Sequence, residues 1–543
     1  MDFHQPDSPK KHNAFLPIIL SLVLVIGIWI GYFLTKRVSS GNVTATQYHS
    51  SSPNEKINSL LDFIEYQYVD TINKKELVEK TVTSMLESLD PHSSYIPASD
   101  FDEVNEPLEG NFDGIGVEFN IIKDTIRVVN PIEGGPSEKI GIRAGDKFIK
   151  VDGKTVAGVK ITNKDVFSKL RGKSGSVVTV TFMRTGITKP LEFKITRDAI
   201  PLYSVDASYM LSSDIGYIKI SKFAATTYQE YLKAFNTLTK QGMKKLVLDL
   251  RGNPGGYLNA AVDISDEFLS KGLQIVYTQG KANPKKVYKA TEHGSFENGK
   301  LTILIDEGSA SASEIVAGAV QDNDRGTIIG RRSFGKGLVQ DQMQLPDGSA
   351  IRLTIARYYT PTGRCIQKPY SDDKSEYYSE EYDRYSSGEL LNADSVKLDK
   401  KQQFKTPEGK IVYGGGGIMP DIFVPLDTAK TNSFLNKTFY AGALNTFAFE
   451  YADKNREKLK QFGNAKNYIA KFEVTQLILD EFYAYCDKQN LKLGSVNKEK
   501  ASQALKPYLK AFIGRDVFDK DAYYPILNQN DKSILKAIEI LSK

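Results

Sequence analysis

The spacing of apolar positions changes several times along the chain, and each change marks a different kind of element. From Ala14 to Leu34 (AFLPIILSLVLVIGIWIGYFL) no side chain is charged, and the length matches the roughly 20 residues needed to cross a bilayer as a helix. The run, 14–34, predicts an uncleaved transmembrane signal anchor. A cleavable signal peptide has a shorter apolar core and a small-residue cleavage site, and the following TKRVSSG offers no convincing one. Lys10 and Lys11 before the run and Lys36 and Arg37 after it leave its orientation undecided. Residues 39–53, SSGNVTATQYHSSSP, have the composition of a flexible tether. In 54–103 the spacing becomes helical, in LLDFIEYQYV and LVEKTVTSMLESL, and predicts a helical cap packed on the core.

Residues 104–197 switch to short β-rich runs, GVEFNII, IRVVN, KFIKVDG and VVTVTFM, joined by glycine turns. From 198 to 429 strand and helix alternate: IGYIKI, a helix through 228–240, LVLDL, a helix through 258–268, QIVYT, LTILI, a helix after Ser311, then GTIIG. That alternation argues for an α/β sheet with helices across its faces. The stretch 369–409, rich in Tyr, Ser and acids, interrupts the pattern before GGGGIMPDIFVP and is expected to be a surface excursion. Beyond 430 the spacing is helical again, in SFLNKTFYAGALNTFAFEYA, VTQLILDEFYAYC, ALKPYLKAFI and SILKAIEILS. The segment 430–543 is long enough for a small bundle of its own.

The chain of 543 residues has room for about three domains. Its 71 basic and 66 acidic residues nearly cancel, so nothing points to nucleic acid. Two cysteines, Cys365 and Cys486, have neither metal-ligand spacing nor the makings of a disulfide framework. No ligand cluster implies a metal or an organic cofactor.

Candidate chemistry lies in GSASASEI and SFGKGLVQ. The apolar strand Leu301–Ile305 runs into a small-residue turn and then an amphipathic helix, placing Ser311 near the positive helix end. Lys336 follows at a glycine-flanked position, so the two offer the parts of a Ser–Lys hydrolase. A serine hydroxyl needs a base, and lysine serves only when burial lowers its pKa from about 10.4. On one strand, Lys336 and Gln340 would share a face. The glycine turn of LDLRGNPGG could bring backbone N–H groups to an oxyanion. Other readings compete. Alone, GSASASEI fits a helix start with capping serines. Residues 330–336 fit seven positions of a phosphate-binding loop, but Gly337 stands where its Ser/Thr is required. For a Ser-His-Asp triad, His4, His12, His49 and His293 are poorly placed, which leaves His92, and no G-x-S-x-G elbow surrounds Ser311. Glu314 and Asp322 fit helix capping or ordinary surface charge as well as a polar role.

GSASASEI, SFGKGLVQ, LDLRGNPGG (248–256) and ARYYTPTGR (356–364) together resemble the carboxyl-terminal processing peptidases, or tail-specific proteases. The resemblance implies Ser311 as nucleophile, Lys336 as general base and Gln340 as the residue that orients it. It also implies an oxyanion hole from Gly256 or Gly255 and the Ala312 amide. LDPHSSYIPASDF resembles the same family's amino-terminal segment, and GGPSEKIGIRAGDKFIKVDGKTV (134–156) looks like a PDZ domain. Gly114, Ile115, Gly116 and Val117 match the loop that holds a peptide's terminal carboxylate while the peptide adds as a strand. The implied fold is multidomain α/β: a transmembrane helix, a helical cap, a PDZ domain, a crotonase-like serine peptidase core and a C-terminal helical domain. The implied function is a serine endopeptidase that takes proteins by exposed C-terminal tails, anchored in the cell (inner) membrane with its catalytic part outside the cytoplasm. The helices after 430 could buttress, self-associate or dock an adaptor. A non-catalytic PDZ scaffold with a degenerate hydrolase core is the alternative, against which the intact Ser311, Lys336 and Gln340 argue.

Overall fold

The computed structural model describes residues 16–38, 52–371, 374–428 and 432–543. The chain divides into two compact units, residues 1–81 and 82–543. The first contains helices Leu16–Val38 and Pro53–Gln67, the latter started by a capping box between Ser52 and Glu55. The tether lies outside the described residues except for its last two, as do Ala14 and Phe15. Among the described residues no helix is long and apolar enough to cross a membrane. This overturns the anchor expected at 14–34 and, with it, the single-pass placement in a cell membrane.

In the second unit the β-rich region folds into an antiparallel sheet in the order Val117–Ile121, Ile126–Pro131, Lys147–Val151, Val177–Met183, Leu191–Thr196. Its alternation is the physical one for a sheet with a single buried face. Val178, Val180 and Phe182 are fully buried while the residues between them are not. Val117–Ile121 is an edge strand of this sheet, facing helix Asn163–Leu170, which Thr162 and Asp165 start with a reciprocal capping box.

The α/β region builds a six-stranded sheet in the order Val205–Met210, Ile215–Ile220, Lys245–Asp249, Lys300–Ile305, Thr327–Gly330, Ile422–Phe423, parallel after its first pair. Leu246, Val247 and Leu248 are all fully buried, as expected of a parallel strand covered on both faces. One face packs against helices Thr227–Lys240, Leu258–Asp266 and Ala312–Asp322. The other is covered from the far end of the chain: Ile534, Ala537 and Leu541 of helix Lys532–Ser542 lie on Tyr217, Val247, Leu304 and Ile329. A second sheet, Ser94–Ile96, Ala350–Tyr359, Gln274–Gln279 and Lys286–Lys289, with Leu338–Gln344 paired to Ala350–Tyr359, carries the residues that face the serine helix.

Helices between Ser433 and Asn528 enclose their own apolar core. They also reach the antiparallel sheet: the fully buried Phe449 packs on Ile122 and Val129, and Glu450 pairs with Lys123 at 3.4 Å. Phe449→Ala is expected to destabilise this attachment by about 3–5 kcal/mol, measurable as a lower urea midpoint for the protein carrying it.

Candidate active site

The strand Lys300–Ile305 hands the chain to helix Ala312–Asp322, every residue of which is buried. Small side chains allow that depth. A Cβ on Gly318 would come within 2.8 Å of Thr360 Cγ2. Three serines crowd the turn, and the structure gives them different tasks. Ser309 Oγ donates to the Leu250 carbonyl at 2.8 Å and Ser313 Oγ to the Asn253 carbonyl at 2.9 Å, tying the turn to the LDLRGNPGG loop. Both are fully buried, whereas Ser311 borders an open cleft. Ser311 sits at φ 52°, ψ −110°, a left-handed conformation that costs a non-glycine residue about 1–3 kcal/mol. Neighbours hold it there: its N–H donates to Glu314 Oε2 at 2.8 Å, and Tyr358 donates to its carbonyl at 3.1 Å.

Lys336 is not on a strand. It lies in the loop ahead of Leu338–Gln344, whose pairing is irregular between Val339 and Gln340, so strand periodicity does not explain the meeting of Lys336 and Gln340. They meet nonetheless: Lys336 Nζ donates to Gln340 Oε1 at 2.8 Å, and Gln340 Nε2 donates to the His92 carbonyl at 2.6 Å. Burial lowers the pKa of Lys336, helped by the charge of Arg352 and opposed by Glu314 and Asp90.

Glu314 joins the two halves. Its carboxylate accepts from Ser311 N–H and Lys336 N–H (2.8 and 2.9 Å) on one oxygen, and from Ser333 Oγ and Gly335 N–H (2.5 and 2.7 Å) on the other. The group is fully buried, and burial raises its pKa to about 7 against the pull of these donors.

Ser311, Lys336, Gln340, Gly255, Gly256 and Ala312 all line one cleft of about 510 Å³. Gly255 N–H is taken by Asn253 Oδ1 at 2.8 Å. Ala312 opens its helix, where the first amides have no intrahelical acceptor. Gly255 has a spatial task instead. At φ +101°, its Cβ would lie 2.8 Å from both the Ala310 carbonyl and Ser311 Cβ. Gly255→Ala is therefore expected to displace the serine turn and lower kcat/KM for a peptide by about 100-fold, with C-terminal peptide binding unchanged in a polarisation assay. Of the four residues matched to a carboxylate loop, Val117 lines a separate groove of about 520 Å³ with Phe119, Asn163 and Phe167, and Gly114, Ile115 and Gly116 lead into it.

His92 shares a 2.6 Å hydrogen bond with Tyr377 through its ring, and burial, then the charge of Lys336, lower its pKa to about 4. It touches the lysine's partner with its backbone, not with its imidazole. His293 is exposed, and His4, His12 and His49 lie outside the described residues. Asp322 is fully buried and holds Arg364 of ARYYTPTGR at 2.6 Å. The signal for Glu314 and Asp322 was present in the sequence as two carboxylates inside a helix made, Gln321 apart, of apolar and small residues.

The profile of peptidase family S41 matches residues 214–373, and that of a PDZ domain residues 127–184. Residues 26–99 match an activating protease CtpB N-terminal domain, and 434–519 a family of unknown function. A carboxy-terminal-processing protease of Bartonella bacilliformis is 40% identical over 317 residues, which cover 58% of this chain and 72% of that protein. The carboxy-terminal processing protease CtpB of Bacillus subtilis is 34% identical over 419 residues, 75% of this chain and 85% of that one. The chain belongs to the carboxy-terminal processing proteases. A solved photosystem II D1 C-terminal processing protease is 25% identical, with a TM-score of 0.37 over 70% of this chain and 88% of that one. As a member of this family, the chain is a serine protease with a PDZ domain, and the non-catalytic scaffold reading falls away.

Proposed function

We propose that this protease cleaves proteins near an exposed, apolar C-terminus through an acyl-enzyme on Ser311. The observation that carries the reading is the half-buried Lys336, held by Gln340 in the cleft that Ser311 borders. Lys336 Nζ takes the Ser311 hydroxyl proton as Oγ attacks the scissile carbonyl. The Gly256 and Ala312 amides then stabilise the oxyanion, while Gly255 gives the turn its shape. The lysine returns the proton to the leaving amine, and water hydrolyses the ester with Lys336 again as base.

Substrate capture belongs to the groove beside Val117–Ile121. An extended tail adds to that free edge as a further strand, its terminal carboxylate against the Gly114–Val117 turn and its last side chain beside Phe119 and Phe167. On this reading the PDZ domain is 104–197, the peptidase core 198–429 and the C-terminal helical domain 430–543, the last acting as a buttress between the other two. The test is digestion of an unfolded protein with an apolar tail by wild type and by the Ser311 and Lys336 variants described below. Fragments from wild type alone support the reading, and equal fragmentation by all overturns it.

A further inference from the structure

Most of the described residues of 369–409 lie at the surface, as expected, but the stretch also reaches inward. Its helix Ser375–Ser386 buries Tyr377 and Arg384, each 5% exposed, and both act on the surroundings of Lys336. Arg384 donates to the carbonyls of Arg332 (2.6 Å) and Ser333 (3.1 Å), in the loop that leads to the lysine. That loop is pinned again by Arg332, which pairs with Glu389 at 2.7 Å and Glu380 at 3.1 Å. Lys368 lies over the rings of Phe334 (4.2 Å) and Tyr377 (4.0 Å) and pairs with Glu380. On the other side, the Tyr377 hydroxyl holds the His92 ring, and the His92 carbonyl holds Gln340, the partner of the lysine ammonium.

We propose that the helix Ser375–Ser386 is a built-in positioning element for Lys336. Arg384 sets the loop before the lysine, and Tyr377, through His92, sets the Gln340 that aims its ammonium. This deepens the Ser–Lys reading and rests on it. The residues act through others, so Tyr377 and Arg384 are positioning residues. The helix has a second face, with Tyr382 and Tyr385 exposed, which serves as an internal control.

The experiment compares full-length wild type, Tyr377→Phe, Arg384→Lys and Tyr382→Ala in steady-state peptide hydrolysis across the neutral and alkaline range, with rates normalised to folded protein by circular dichroism. Tyr377→Phe keeps the ring against Lys368 and Phe334 and removes only the hydroxyl. Arg384→Lys keeps a cation but loses the fork that reaches two carbonyls. Each is expected to lower kcat about tenfold with KM unchanged, since small misplacements of a reacting group are costly. The ascending limb of the kcat profile is expected to move to higher pH, because a loosened lysine regains water. The charged and titratable groups facing Lys336 are Arg352, Glu314, Asp90 and His92, and none is altered in these variants. Tyr382→Ala is expected to match wild type. Unchanged kcat and an unmoved limb in both Tyr377→Phe and Arg384→Lys overturn the proposal, as does a loss confined to KM. Ser311→Ala, assayed alongside, separates the two failures: hydrolysis persisting in it overturns the Ser–Lys reading itself.

Discussion

Ser311→Ala and Lys336→Arg are each expected to abolish peptide-bond hydrolysis while the protein still binds a C-terminal peptide. The serine variant loses the nucleophile, a change worth on the order of a million-fold in kcat where a hydrolase depends on one. Lys336→Arg is the sharper test of mechanism. Arginine preserves the positive charge beside Gln340 but cannot give up its proton at any working pH, so charge alone is separated from base catalysis. A loss of about 10⁴-fold or more is expected. Peptide binding is expected to survive because the groove residues, Val117, Phe119, Asn163 and Phe167, belong to another sheet and helix. The measurement is fragment release by mass spectrometry beside fluorescence polarisation of a labelled peptide. Near-wild-type cleavage by Lys336→Arg would remove the lysine from the role of base.

Glu314→Gln is expected to cost less activity than the first pair but, unlike them, stability as well. One carboxylate accepts four donors here, two on each oxygen. An amide presents one acceptor end and one donor end, so whichever way it is turned, two buried donors face N–H groups. Leaving two buried donors unsatisfied costs about 2–6 kcal/mol. Because Ser311 and Lys336 share one of the oxygens, the same change separates nucleophile from base, and kcat is expected to fall by about 100-fold or more. The carboxyl also has a pH signature. Its folded pKa, about 7, lies above its ordinary value of 4.5, so its contribution to stability is fully present below that ordinary value and is lost as pH rises through about 7. Wild type is expected to lose melting temperature over that interval, and Glu314→Gln to show a flatter dependence. Calorimetry across the interval decides it, and a dependence that Glu314→Gln leaves unaltered would assign the titration elsewhere.

Much of this was legible in the residues. Leu246 to Leu248 is an unbroken apolar run because a central parallel strand is covered on both faces, and Val177–Met183 alternates because its sheet is covered on one. The four motifs meet at one cleft, since Ser311, Ala312, Lys336, Gln340, Gly255, Gly256 and Tyr358 all line it. What stayed hidden depends on partners distant in sequence. Glu314 reads as a cap because the residue three after a helix-starting serine is an ordinary place for a glutamate, and its second task needs the loop at 333–336. The stretch 369–409 has the composition of a surface, yet Tyr377 is buried by a residue 285 positions away. Lys336 escaped the period-two argument because its strand begins two residues later. The apolar run near the start was the opposite case, in which composition promised a membrane-crossing helix that the described residues do not supply.

The helix Lys532–Ser542, which lines the second face of the core sheet, imposes an order of events on synthesis. At about 5–20 residues per second, a ribosome needs roughly 10–40 s to move from the last motif strand to this helix. Throughout that interval Tyr217, Val247, Leu304 and Ile329 lack the cover of Ile534, Ala537 and Leu541, and Arg251 lacks the Asp531 carboxylate that it meets at 2.9 Å. The nascent protease thus carries its serine and its lysine long before it carries the helix that lines the second face of its core sheet.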